Sequence, residues 1–167
     1  TGFIHLDGFM DVCDAVLSRR DLPERQKILK DSHCGAFSVI CMVLLALVQW
    51  SLFLSAEGGS PVGLLCVPVV VRACAAVAVG TLRPMHGSQY AAMQHGRGWI
   101  VPCVFLLLGV GLPLLLCGSF APLGAAAGYW LAALYGFRQM DGMSGDISGF
   151  ALTLGELAGA AVWVLAG

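Results

Sequence analysis

From Ala36 to Ala56 the chain carries no charged residue, and only Ser38, Gln49, Ser51 and Ser55 interrupt an otherwise apolar run. That length, about 20 residues, is what a helix needs to cross a bilayer. Four more such stretches follow: Pro61 to about Leu82, Trp99 to Cys117, about 120–137 and about 147–166. Lipid offers the backbone no hydrogen-bond partner, so apolar segments of this length cross it as helices. Composition agrees. Of 167 residues, 58% are apolar and 11% charged, against about 25% charged in a soluble domain. A soluble fold, a disordered chain and a basic nucleic-acid-binding face are all excluded, and the net charge is only −1. The expected fold is all-α: a polytopic integral membrane protein with about five transmembrane helices. It forms one membrane-embedded catalytic domain over residues 1–167, with 1–35 as its polar motif region. The chain begins at Thr1 and opens directly in a polar motif. It reads as the C-terminal part of a longer protein, with N-terminal helices lacking.

The bases set an orientation. With alternating spans, residues 1–35, 83–98 and 138–146 share one side. They carry Arg19, Arg20, Arg25, Lys27, Lys30, Arg83, Arg97 and Arg138, every base but Arg72. The positive-inside rule makes that side the cytoplasm, and the short opposite turns leave no room for a site. None of the seven cysteines forms a C-x-x-C pair, so they read as small hydrophobes and not as disulfides or zinc ligands. Gly124/Gly128, Gly145/Gly149 and Gly155/Gly159 are small residues four apart, the spacing that lets membrane helices approach closely.

The sharpest motif is Leu6-Asp7-Gly8-Phe9-Met10-Asp11-Val12-Cys13-Asp14. On a helix Asp7, Asp11 and Asp14 fall within about 60° of one another. Three carboxylates on one stripe repel each other and resist burial. A divalent cation among them resolves both problems, and hard oxygen ligands suit Mg²⁺ or Mn²⁺. The competing reading is a solvated acidic face.

Asp21-Leu22-Pro23-Glu24 reads as a helix start, with Asp21 as N-cap and Glu24 closing a capping box. That helix is expected to run to about Asp31, with Gly35 ending it. It presents Arg25, Lys27 and Lys30, which meet either phosphates or lipid headgroups. Asp31 lies at the depth of a site. Arg83 and Arg97 suit phosphate contacts, or serve simply as juxtamembrane bases; His86 and His95 have no visible partner. Arg72 lies inside a span, where a lone charge is costly, and Glu156 is its natural partner. Asp146 opens the last span, as a metal ligand, as the helix N-cap, or as both.

Three strings in order, TGFIHLDGFMDVCDAV, KILKDSHCGAFSV and GMSGDISG, resemble the cobalamin synthase family, the adenosylcobinamide-GDP ribazoletransferases. That family carries a T-G-x-x-H-x-D-G-x-x-D-x-x-D-G type motif, then K/R-D-S-x-x-G, then G-x-x-G-D-x-x-G. Here Ala15 stands where the family has glycine after the third aspartate. The resemblance implies transfer of the cobinamide-phosphate moiety of adenosylcobinamide-GDP to α-ribazole or α-ribazole 5′-phosphate, with release of GMP and a requirement for Mg²⁺. It implies a bacterial cytoplasmic membrane location with the site facing the cytoplasm. Carried over residue by residue, Asp7, Asp11 and Asp14 match the first motif, Lys30 and Asp31 the second, and Asp146 the third. The expected site is therefore Asp7, Asp11, Asp14 and Asp31 as catalytic residues, Lys30, Arg83 and Arg97 on substrate, and Asp7, Asp11, Asp14 and Asp146 on metal. The partners are the two substrates and the lipid bilayer, with no nucleic acid; a homo-oligomer stays open. His5, beside Asp7, points roughly 160° away from it on a helix and ranks low as a base.

Two other readings compete. A CDP-alcohol-type phosphotransferase also sets aspartates at the mouth of membrane helices, but its motif has Ala-Arg where Met10-Asp11 stands here. An ion carrier concentrates charge at mid-membrane, whereas only Arg72 and Glu156 lie inside the spans of this chain.

Overall fold

The structure is a computed structural model that describes residues 3–57, 59–86, 88 and 100–166. The described residues form helices α1 (Ile4–Leu17), α2 (Leu22–Ile28), α3 (Ala36–Leu54), α4 (Pro61–Thr81), α5 (Ile100–Cys117), α6 (Ala121–Met140) and α7 (Gly145–Ala166). Among those residues there is no strand, only one parallel bridge between Pro84 and Met143.

Helices α3, α4, α5 and α7 are long and apolar enough to cross a membrane. The remaining expected span, about 120–137, is a helix of matching length, α6, but is not among the four. Its sequence is rich in Ala and Gly. What it lacks in hydropathy it recovers by packing, since Ala121, Ala125, Tyr129, Ala132 and Ala133 are buried. Inside lipid the hydrophobic effect does not draw helices together; close packing does. The α6–α7 seam shows how. A methyl group at Gly124 would fall 2.5 Å from Val162, and one at Gly128 2.5 Å from Ala158. On the other side of the seam, Gly155 abuts Tyr129 and Gly159 abuts Ala125 and Val67. Of the glycines expected to pack helices, Gly145 alone is exposed.

Prolines start α4 and sit in the first turn of α6, where the missing N–H costs nothing. Pro68 and Pro113 lie inside helices, as membrane helices tolerate. Helix α6 stops at Asp141, which takes the left-handed conformation at φ 56°.

Contacts at the two ends show the helices alternating. At one end the Trp163 indole N–H donates to the Ser60 carbonyl at 2.9 Å, and Ser119 lies against Gly63. At the other, Met85 N–H donates to the Met143 carbonyl at 2.9 Å and Met143 N–H to the Arg83 carbonyl at 2.8 Å. Gln26 donates to the Met140 carbonyl at 2.8 Å, and Arg25 donates to Gln139. The described parts of the three polar segments thus share one end of the bundle.

Two boundaries and one cap differ from expectation. Helix α2 ends at Ile28, not near Asp31, and Gly35 precedes α3 instead of ending α2. Asp21 occupies the N-cap position, but its side chain makes no capping hydrogen bond. The α2 segment is held instead by Arg25 and Gln26 reaching α6, a tertiary attachment that local sequence does not encode.

Candidate active site at the polar end of the bundle

Helix α1 has two faces. Phe9, Val12 and Cys13 turn inward and are buried, whereas Asp7 is exposed and Asp11 and Asp14 are half-buried. Phe9 stacks on Phe150 of α7 with ring centroids 5.8 Å apart. Gly8 permits the decisive contact: a methyl group there would come within 2.8 Å of both Cα and O of Asp146. Three residues further into α7, a methyl at Gly149 would lie 3.0 Å from the His5 carbonyl oxygen. The buried Thr153 hydroxyl lies 3.3 Å from that carbonyl and 3.0 Å from the Gly149 carbonyl. Two glycines and one hydroxyl thus set α1 backbone-to-backbone on the first turns of α7.

That contact delivers Asp146 to the acidic stripe. Burial first, and then the charges of Asp7, Asp146 and Asp14 in that order, together push the Asp11 carboxyl up to about 6. The carboxylate of Asp14 lies directly against Gly35. Asp7, Asp11, Asp14 and Asp146 therefore form one group.

Asp146 is not the N-cap of α7, because the helix begins one residue earlier. Ser144 caps it: its hydroxyl oxygen accepts the Ile147 N–H at 3.3 Å while hydrogen-bonding the Asp146 carboxylate. The hydroxyl two residues before Asp146 in Met143-Ser144-Gly145-Asp146 is the signal for this role. His5 is half-buried and joins the contact through its backbone carbonyl.

The other expected residues are placed differently. Asp31 is exposed and engages His33, whose backbone N–H donates at 3.0 Å and whose ring Nδ1 lies at 2.6 Å. These bonds, with the nearby charge of Lys27, hold its carboxyl below the usual carboxylate range. The charges that act on Asp31 are thus His33 and Lys27 and not the α1 carboxylates. Lys30 and Asp31 line an open groove of about 580 Å³ with Gln26 and Lys27. Arg83, expected to meet phosphate, is instead paired with Asp141, at 2.5 Å to its carboxylate and 3.1 Å to its carbonyl. Gly142, at φ 156°, lets the two loops meet: a methyl there would fall 2.5 Å from the Met85 Cα. Arg97 and His95 lie outside the described residues. A second groove, about 510 Å³, has Asp7 in its wall beside Ile4, Met10 and Met42.

Among the described residues, no three His, Cys, Asp or Glu side chains are gathered tightly enough, as they stand, to hold a metal ion. The donor chemistry nonetheless fits a hard cation. The four carboxylates are all oxygen donors, and the part of the upward push on Asp11 that follows burial, from Asp7, Asp146 and Asp14, is repulsion of the kind a divalent ion relieves.

The chain matches the profile of the cobalamin-5-phosphate synthase family over residues 1–164. It is similar to the adenosylcobinamide-GDP ribazoletransferase of Clostridium botulinum strain Alaska E43, 37% identical over 168 residues that cover 95% of this chain and 67% of the relative. The enzyme of the same name from Clostridium perfringens strain 13 is 35% identical over 173 residues, covering 95% of this chain and 67% of the relative. That from Geobacillus kaustophilus is 34% identical over 182 residues, covering 98% and 68%. No solved structure matches the chain.

Proposed function

The chain belongs to the cobalamin-5-phosphate synthase family, and on that premise we propose that it acts in cobalamin synthesis as an adenosylcobinamide-GDP ribazoletransferase. It transfers the cobinamide-phosphate moiety of adenosylcobinamide-GDP to α-ribazole or α-ribazole 5′-phosphate and releases GMP. The observation that carries this reading is the convergence of Asp146 from α7 on the Asp7–Asp11–Asp14 stripe of α1. In the reaction a ribazole hydroxyl oxygen bonds to the phosphorus that bears cobinamide. The bond from that phosphorus to the bridging oxygen breaks, and GMP leaves with that oxygen. The hydroxyl proton passes to a carboxylate of the stripe or to water.

Phosphoryl transfer asks mainly for positioning and charge neutralisation. Asp7, Asp11, Asp14 and Asp146 would hold Mg²⁺, which when bound neutralises the diphosphate and the charge on the departing phosphate. Lys27 and Lys30 face the groove beside α2 and offer cations to the guanosine phosphates, with Arg97 as a further phosphate ligand. Asp31 orients His33 at the rim of that groove. The apolar wall around Asp7, with Ile4, Met10 and Met42, suits the flat base of ribazole. Arg83 braces the loops. By the positive-inside rule this end faces the cytoplasm of a bacterial inner membrane.

The test is a product assay in membranes with adenosylcobinamide-GDP, α-ribazole and Mg²⁺. GMP should appear in step with cobalamin. GMP formed without cobalamin, or CMP formed from a CDP-alcohol, would sink the reading.

A further inference from the structure

Beneath α1, on its other face, lies an apolar slot of about 380 Å³ between α1, α3 and α7, with Tyr135 of α6 at its edge. Its volume falls within the roughly 300–1,000 Å³ of ligand sites. The slot is no part of the acid site. At 100° per residue, Phe9, Cys13 and Val16 of its wall lie roughly half a turn from the Asp7–Asp11–Asp14 stripe. A substrate base seated there would have to reach around α1 to meet the carboxylates.

The slot runs along the membrane-crossing part of the bundle. Leu44 and Val48 lie well inside α3, and Leu154 and Leu157 near the middle of α7. Its outer edge is not covered by any described residue, since Leu44 and Val48 are both exposed. Cations stand close in sequence to the residues at its polar end. Leu17 lines the slot, and Arg19 and Arg20 follow after Ser18, both exposed. Arg138 is exposed one turn beyond Tyr135, toward the polar end and on the same face of α6. None of the ion pairs among the described residues involves these three arginines. A second copy of the chain, related by a two-fold axis through this face, would set the same arginines against each other.

An apolar slot at membrane depth, capped by unpaired cations at the headgroup level, has the chemistry of one ligand class. We infer that it binds an anionic phospholipid, with an acyl chain in the slot and the headgroup phosphate on Arg19, Arg20 and Arg138. The bound chain forms the floor under α1, whose upper face carries the carboxylates. This inference concerns binding and stands apart from the proposed reaction.

The test uses the whole chain in nanodiscs of phosphatidylcholine. The probe is phosphatidylglycerol with a photoreactive diazirine in its acyl chain, and adducts are mapped by peptide mass spectrometry. Adducts should concentrate on Val16, Leu44 and Val48 over Leu107 and Leu115 on the outer face of α5. Unlabelled phosphatidylglycerol should compete at least about fivefold better than phosphatidylcholine of the same chains, the effect of roughly one basic residue near an anionic surface. Arg19→Gln combined with Arg138→Gln should bring the two lipids close to parity. Leu44→Trp should abolish the slot adducts; Val48→Trp serves if the first variant fails to insert. Three results would overturn the inference: adducts spread equally over the slot and α5, equal competition by both headgroups, or labelling unmoved by either tryptophan.

Discussion

At the middle of the bundle, Arg72 of α4 and Glu156 of α7 meet at 2.8 Å. The same guanidinium nitrogen donates to the Pro68 carbonyl at 3.0 Å. At the polar end, Asp7, Asp11, Asp14 and Asp146 press on one another, with no cation of the described residues among the charges that act on Asp11. Opposite charges in the costly place are paired; like charges in the less costly place are forced together. The first arrangement lets charged residues exist in lipid at all. The second is a standing electrostatic debt that a bound cation discharges, and tightly packed backbone keeps it in place: Gly8 on Asp146, Gly149 on His5, Thr153 across both. On the proposed function, the uncompensated group belongs to the chemistry and the compensated pair to the scaffold.

The contrast breaks most visibly at Asp11. Asp11→Asn should lower turnover by about 10²–10³-fold, the scale of losing one preorganised electrostatic contact. The same change should stabilise the protein when divalent cations are absent. The folded carboxyl sits near pH 6 against an ordinary 3.8. The folded chain therefore holds more protons than the unfolded one between about pH 4 and 6, and stability falls as pH rises through that window. Above it the cost is in full force, and asparagine removes it. Thermal melts in EDTA at pH 7.5 should show the variant unfolding at a higher temperature than the parent, with the difference gone at pH 4. A variant that is both less stable and inactive would mean that Asp11 is a structural residue.

Next in size is the backbone contact. Gly8→Ala should cost up to about 10²-fold in turnover, because displacements of about an ångström have effects of that order. The loss should appear in kcat together with a weaker Mg²⁺ response. Thr153→Ser should retain activity where Thr153→Val loses part of it. Normal Mg²⁺ dependence in Gly8→Ala would separate Asp146 from the site.

Smaller still is the mid-bundle pair. In a double-mutant cycle, Arg72→Leu and Glu156→Leu should each destabilise more than the double variant predicts by addition, with a coupling of roughly 1–3 kcal/mol. Turnover per folded molecule should not change. Additive effects would dissolve the pair, and a lost turnover would move it into the chemistry. The smallest effect belongs to Asp21→Asn. Its carboxylate makes no capping bond, so activity should match the parent and stability should shift by less than about 0.5 kcal/mol.

What the sequence makes legible follows from where the information is local. The four strongly apolar helices need no partner to be recognised, and the spacing of Asp7, Asp11 and Asp14 is set by one helix. Arg72 and Glu156 are foreseeable because lipid leaves each so few alternatives. Other features depend on tertiary placement. Arg83 reads as a phosphate ligand, and only the end of α6 shows that Asp141 pairs with it. Asp146 looks like a cap until Ser144 takes that role. Asp31 follows a motif, yet the charges around it are His33 and Lys27. The slot under α1 was not foreseeable, because an apolar helix face reads the same whether it meets protein or lipid.

The glycine-lined seam between α6 and α7 has a consequence for how the chain enters a bilayer. Helix α6 is not among the helices apolar enough to cross on their own, yet it emerges from the ribosome before the partner that accommodates it. Only residues 141–144 separate the two helices. Helix α6 should therefore be held in the membrane less firmly until α7 has been made to pack against it. A chain stopped after Asp141 should leave a glycosylation tag on α6 readable as uninserted, and extending synthesis through Ala166 should bring it in.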